Sequence, residues 1–298
     1  MKITILLSGL VVCFCLNSME IQDPSVQSWD GKAFYKATKG SLPFAKKILD
    51  TYPLASYEAI LDVGSGSGTL TAYMAKKAKK AGSKTAVAGF EPNRSMFLFA
   101  QGYYQKPDNL YFCEFALPKI FNHWDFICTI NMLHLLPLAQ QSAALKTLAS
   151  CAQTQKNVPL LVIMAAKNNV PQAFERAYAA TLGLERWKKL RAIKLEDYFA
   201  PHDDRSFRQM AQDTGWVVKK TEMQNEEITF KNVKRLKQFI TSWMGGFEFV
   251  AQMPCAEQEQ LLTDLVENYK KQEPAADDES IKWSSPRLIV HAEKPKAC

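Results

Sequence analysis

From residue 57 to about residue 166, short apolar runs alternate with amphipathic stretches, a pattern that predicts strands and helices in turn. Ala59, Ile60 and Leu61 lead into a glycine turn. The helix expected after it carries Leu70, Tyr73, Met74 and Ala78 on one face and Lys76, Lys77, Lys79 and Lys80 largely on the other. Residues 85–90 read as a further strand, and the unbroken run Leu160, Leu161, Val162, Ile163, Met164 suits a parallel strand buried on both faces. This order implies a doubly wound, mostly parallel α/β sheet. Residues 170–200 are helical in pattern and rich in charge, with no counterpart in a minimal nucleotide-binding domain, so they predict a cap over the substrate side. Val217 with Val218, and Ile228 to Phe230, read as two short strands parted by a polar turn at residues 224–227. Residues 257–271 form an amphipathic pattern with Leu261, Leu262, Leu265, Val266 and Tyr269 inward; residues 273–279 read as a loop and residues 288–291 as a last strand.

The turn itself, Asp62-Val63-Gly64-Ser65-Gly66-Ser67-Gly68, is the strongest chemical signal. Glycines at a strand-to-helix turn let backbone approach a ligand that a Cβ would block. A dinucleotide fingerprint needs its third glycine five positions after the first, and Thr69 stands there. A P-loop needs Lys before Ser or Thr, and Gly68 is followed by Thr69 and Leu70. Asp62 would repel a pyrophosphate but suits a ligand with a cationic amino group. S-adenosylmethionine has that amino group, no phosphate, and a ribose diol. The diol calls for a carboxylate at the end of the next strand, where Glu91 stands before Pro92 and Asn93.

Residues 60–68 (ILDVGSGSG) and 90–96 (FEPNRSM) together resemble the first two motifs of the class I S-adenosylmethionine-dependent methyltransferases. Residues 124–137 look like that family's fourth strand and following turn, and residues 207–216 like the helix and turn before its sixth strand. Thr229-Phe230, residues 243–246, Met253-Pro254 and residues 285–290 are similar to the branch that includes trans-aconitate and juvenile hormone acid methyltransferases. The resemblance spans about residue 29 to the C-terminus. It implies a seven-stranded Rossmann-like methyltransferase fold with an antiparallel C-terminal strand pair and helical cap insertions. The expected organisation is a signal-like segment or mis-assigned start at 1–18, lid helices at 19–56, a cofactor-binding core at 57–166, the cap at 167–206 and the rest of the sheet with added helices at 207–298. Carried over position by position, the cofactor would meet Asp62, Gly64, Ser65, Gly66, Gly68, Glu91, Pro92, Ala116, Leu117, Thr129 and Ile130. Ala116 departs from the acid that usually meets the adenine amino group. Two replacements stand open: Glu114, two residues earlier and by strand alternation on the same face, or backbone contacts from Ala116 and Leu117.

On the substrate side the resemblance points to Trp29, Asp30 and Tyr35 in a lid helix, to His134 after the fourth strand, and to Trp243 with Gly245 and Gly246. Tyr35 and His134 are the catalytic candidates, each weighed against ordinary packing. The branch implies O-methylation of a carboxylate on a small, acidic acceptor. A carboxylate is already deprotonated at neutral pH, so no general base is required. The alternative is an inactive or exported binding protein on the same scaffold, prompted by Ala116 and the N-terminus.

The chain's 298 residues, 47% of them hydrophobic, allow a full core. A net charge of +7 is spread over predicted helix faces without the interleaved aromatics of a nucleic-acid binder, so no nucleic-acid partner is expected. It would still favour an anionic small molecule. The seven cysteines have no repeated spacing and no paired histidines, which predicts neither a zinc site nor a disulfide framework. Lys2 and the apolar residues 3–16 resemble a secretion signal too short for a stable membrane span, while a start at Met19 would give a cytoplasmic protein. Both readings stay open. A monomer or weak oligomer is expected.

Overall fold

A computed structural model describes residues 30–105, 108–114, 124–167, 171–195, 200–245, 247–274, 276 and 279–296. Strands β1 (Ala59–Val63), β2 (Ala86–Phe90), β3 (Leu110–Cys113), β4 (Phe126–Ile130), β5 (Val158–Ala165), β6 (Val217–Phe230) and β7 (Ile281–Lys294) form one sheet in the order β3-β2-β1-β4-β5-β7-β6. The first five are parallel, and β7 inserts antiparallel between β5 and β6. This is the expected doubly wound sheet with an antiparallel C-terminal pair.

Every residue of β1 and β4 is buried, because helices cover both faces. Helices α1 (Gly31–Ala37), α2 (Leu42–Leu49), α3 (Thr69–Lys80), α4 (Arg94–Tyr103) and α5 (Leu138–Cys151) accompany the first half of the sheet. Ile48 and Leu49 of α2 and Met74 of α3 pack on Ile60, Cys128, Ile163 and Ile289. On the opposite face Leu145 and Leu148 of α5 join Phe207 and Met210 of α7 (Asp204–Asp213) against Leu61, Ile127 and Val162.

The C-terminal strands differ from the sequence expectation. Residues 217–230 form one continuous strand of 14 residues, with no turn at 224–227, and β7 is equally long. Only residues 287–294 of β7 pair with β5; residues 281–286 pair with β6 alone. The two strands therefore run past the sheet as a free ribbon. The polar run hid this because Glu226, in its middle, is fully buried and answered by Arg287, 61 residues away. Its neighbours Asn225 and Glu227 face solvent, so the alternation is that of a strand with a charged residue at an inward position.

Around the ribbon gather α6 (Gln172–Gly183), the 3₁₀ segment Glu185–Leu190, α8 (Val233–Met244), the short α9 (Glu248–Ala251) and α10 (Cys255–Gln272). They bury Phe174, Trp187, Phe239, Ile240, Leu265 and Tyr269 against Ile228, Phe230 and Trp283, a core of their own separate from the two sheet faces. The predicted inward residues of α10 are all buried. The cap is thus built from two chain segments, residues 171–195 and the helices between β6 and β7.

Candidate functional site

The glycine turn lies at the carboxyl edge of β1, where open α/β sheets take their ligands. Gly64, Gly66 and Gly68 have φ of 72°, 56° and 76°, the left-handed region that side chains disfavour. The turn is tied to β2, because the N–H groups of Gly64 and Ser65 both donate to the Phe90 carbonyl, at 2.8 and 3.0 Å. A Cβ on Gly68 would come within 2.6 Å of the Phe112 ring, and one on Gly64 within 2.3 Å of Met132. A Cβ on Gly66 would reach 3.3 Å from Phe34 and 3.7 Å from Met96.

Glu91 follows β2 directly and is buried at 7% exposure. Its Oε2 accepts from the Gly66 N–H at 2.7 Å and its Oε1 from the Asn93 N–H at 2.8 Å. Burial drives its pKa up to about 7, against the two backbone hydrogen bonds, with the nearby Asp62 charge adding to the rise. Each carboxylate oxygen keeps a second lone pair for a hydroxyl donor. Pro92 continues the chain, and Asn93 caps α4 by accepting from the Met96 N–H at 3.1 Å.

Asp62 is turned under the loop. Its Oδ2 accepts from Thr71 of α3 at 2.6 Å and its Oδ1 from the Cys128 thiol of β4 at 3.7 Å, and burial raises its pKa to about 6. It joins β1, α3 and β4 beneath the glycines, so its effect on a ligand passes through the position of the turn. Ile130 is buried in the core on the α2 side. The hydroxyls of Ser65 and Thr129 and the side-chain oxygen of Asn131 are buried without hydrogen-bond partners. Asn131, which the sequence reading passed over, stands at the end of β4 with φ of 57°. A non-glycine residue there is a strained position of the kind concentrated at functional sites.

Among the described residues, the expected substrate-side residues are held by packing and hydrogen bonds of their own. Tyr35 is turned onto the outer face of α4, its ring 5.5 Å from Phe99 and 5.2 Å from Tyr103 and its hydroxyl 3.3 Å from that of Tyr103. The neighbouring Phe34 is the aromatic that reaches the loop, a residue the sequence reading missed. Its signal was present, since Gly31 must sit against α4 and position 34 follows one helical turn later. Asp30 caps α1, accepting from the N–H groups of Lys32 and Ala33. His134 is fully enclosed, its Nδ1 accepting from the Ala165 N–H at 3.3 Å, and burial reinforced by the Arg287 charge lowers its pKa to about 3. A histidine held neutral at that depth fixes the turn after β4 to the end of β5 and is unsuited to carrying a proton at neutral pH.

Trp243 packs tilted or edge-on in the cap core, its ring 5.3 Å from Phe174, 5.7 Å from Phe247 and 6.3 Å from Trp283. Gly245 ends α8 with φ of −61°, so no left-handed turn requires it. Glu114 follows β3, buried and 3.4 Å from Arg94. Trp29, Ala116, Leu117, Gly246 and the segment 1–18 lie outside the described residues. Among the described residues no cluster of metal ligands occurs and no helix is long and apolar enough to cross a membrane.

A seven-stranded sheet with one antiparallel strand before its edge, and a glycine turn backed by a buried acid at the end of β2, define the class I methyltransferase architecture. Residues 35–221 match a methyltransferase domain family, and the chain belongs to it. A proposed methyltransferase from Bacillus halodurans C-125 is similar in structure, with a TM-score of 0.52, 14% identity, and coverage of 84% of this chain and 98% of that one. The YcgJ protein of Bacillus subtilis gives a TM-score of 0.51 at 13% identity, covering 86% and 99%. The [4+2]-cyclase SpnF gives 0.52 at 13%, covering 86% and 82%. At these identities the likeness is one of fold. No curated protein matches the sequence.

The donor implied by this fold and family is S-adenosylmethionine, and the chain's own residues fit it. The three left-handed glycines let the turn close against Met132, Phe34 and Phe112, and Glu91 presents a buried carboxylate on the turn's central N–H, with a free lone pair on each oxygen for a ribose hydroxyl.

Proposed function

We propose that this protein transfers a methyl group from S-adenosylmethionine to a small acidic molecule, forming a carboxylate ester by direct displacement. The observation that carries the donor half of this reading is Glu91, buried at the end of β2 with its oxygens on the Gly66 and Asn93 N–H groups. Glu91 and the backbone of residues 64–68 would hold the donor, with the ribose diol on the carboxylate. When bound, that cofactor supplies an electrophilic methyl group on a cationic sulfur. An acceptor carboxylate oxygen forms the new C–O bond as the methyl–sulfur bond breaks and its electron pair stays on sulfur, and no proton moves. The protein's contribution is then alignment and exclusion of water, which can supply roughly 7–11 kcal/mol of the barrier.

Two features support an acid as acceptor. The net charge of +7 attracts anions, and a carboxylate acceptor makes no demand for a base, consistent with the neutral, enclosed His134. The resemblance to the trans-aconitate and juvenile hormone acid branch points the same way.

Calorimetric titration of the wild-type protein and Glu91→Ala with S-adenosylhomocysteine, followed by transfer of labelled methyl to a panel of small carboxylic acids, tests both halves. Binding by the wild type that the variant loses, and label in an alkali-labile product, are expected. Absence of binding would sink the donor assignment; binding without any alkali-labile product would sink the carboxylate assignment alone.

A further inference from the structure

Beyond the sheet edge, on the side where the glycine turn lies, the β6–β7 ribbon carries a buried polar group that nothing above uses. Arg287 marks the border, opposite Ala165, the last residue of β5. Glu226 pairs in register with Ser285, and Ile228 with Trp283, so Glu226 and Trp283 stand two rungs apart, diagonal neighbours on the inward face of the ribbon. Continuing outward, the same face carries Phe230 and Ile281 into the cap core. From the lid side, Gly40 sits against Ile228 so closely that a Cβ would reach 2.7 Å from its side chain. Glu226 is therefore enclosed between the lid, the sheet edge and the cap.

Its hydrogen bonding is lopsided. Arg287 gives both of its contacts to one oxygen, Nε at 2.8 Å and Nη2 at 2.6 Å from Oε2. The other oxygen, Oε1, is buried with no donor, although Glu226 is 0% exposed. Two rungs away on the same face, the indole N–H of Trp283, 5% exposed, is buried with no acceptor. An unanswered carboxylate oxygen and an unanswered N–H on one inward face are each costly, and native proteins rarely keep them without a partner. A hydroxyl answers both, donating to a carboxylate oxygen and accepting from an indole N–H.

We propose that Glu226 Oε1 and Trp283 Nε1 form a hydroxyl-binding subsite for the acceptor, with Arg287 as the positioning residue that holds Glu226 in place. The inference deepens the reading of the protein as a small-molecule methyltransferase: the acceptor class becomes an acid that carries a hydroxyl on an apolar body, the hydroxyl seated on the ribbon and the body against the cap aromatics. The ion pair gives this anchor no net charge, so it selects for the hydroxyl and leaves the acidic group for the cofactor side.

The test uses benzyl alcohol and ethylbenzene, which differ by a hydroxyl in place of a methyl, titrated into the full chain by ligand-observed NMR without cofactor or turnover. Trp283→Phe keeps an aromatic ring and removes only the N–H donor and part of the ring. It is expected to weaken benzyl alcohol by about tenfold while leaving ethylbenzene within about twofold. Glu226→Gln is expected to shift the pair of affinities in the same direction and carries the comparison should Trp283→Phe fold poorly. No saturable binding of benzyl alcohol, or equal shifts for the two compounds, would overturn the subsite and assign the two atoms to a structural water. Because neither an acid nor S-adenosylhomocysteine enters the measurement, failure of the methyltransferase reading registers separately, in the titration described above.

Discussion

The two halves of the ligand edge are built on opposite principles. Around the glycine turn the working groups are mainly backbone: N–H groups in a left-handed turn, tied to the Phe90 carbonyl and to Glu91, with side chains absent where Met132, Phe34 and Phe112 close on the turn. Around the ribbon they are large side chains, with Phe174, Trp243, Phe247, Tyr269 and Trp283 in mutual contact and a single ion pair at the border. The first half can hold a ligand common to a whole family, because backbone geometry is indifferent to the residues around it. The second can change its preference with each substitution, since its shape is the sum of its side chains.

If the halves are this independent, damage to one should leave the other intact. Phe174 is fully buried at the centre of the cap aromatics, and Phe174→Ala should cost about 4 kcal/mol of stability, read by urea denaturation, while the affinity for S-adenosylhomocysteine at permissive temperature stays unchanged. A parallel fall in affinity would show that the cap props up the glycine turn. Conversely, Glu91→Ala should remove about 3–4 kcal/mol of cofactor-product binding, two charge-assisted hydrogen bonds, with the cap's near-ultraviolet circular dichroism unaltered.

The buried acid also makes the first half sensitive to pH. With its pKa raised from 4.5 to about 7 in the folded protein, Glu91 binds a proton more tightly folded than unfolded. Its contribution to stability is therefore fully present below pH 4.5 and is lost as pH rises through 7, a change of about 3 kcal/mol in the ligand-free protein. Thermal melts of the wild type and Glu91→Gln across this range should diverge, the variant becoming the more stable above pH 7. Ribose hydroxyls need the charged carboxylate, so S-adenosylhomocysteine affinity should rise over the same interval. The smallest effect is expected of Gly66→Ala. Its φ of 56° and the 3.3 Å approach to Phe34 place the cost at about 1–2 kcal/mol, with binding weakened to a similar extent. Combining it with Phe34→Leu tells the two terms apart, because relief of the contact leaves only the backbone strain.

Legibility in the sequence follows the same division. The glycine turn, Glu91 and the five parallel strands are local features, each announced by residues within one turn or strand of themselves. The ribbon is not local: a polar stretch at 224–227 reads as a turn until Arg287 is known to lie beside Glu226. Tyr35 and Phe34 are adjacent in the lid helix, and one helical step decides which of them meets the turn and which meets Phe99. His134 has the residue type of a catalyst, and only the tertiary structure shows that burial and the charge of Arg287 hold it neutral against the Ala165 N–H.

The amino-acid order alone determined the sheet's parallel half, the left-handed turn and the acid behind it, because periodicity and glycine conformational freedom act over a few residues. Only the tertiary structure decided the length of β6 and β7, the composition of the cap core and the partners of the buried polar groups. Those depend on which distant segments exclude water from one another, and a charge becomes an inward-facing residue only when its counter-charge arrives from elsewhere in the chain.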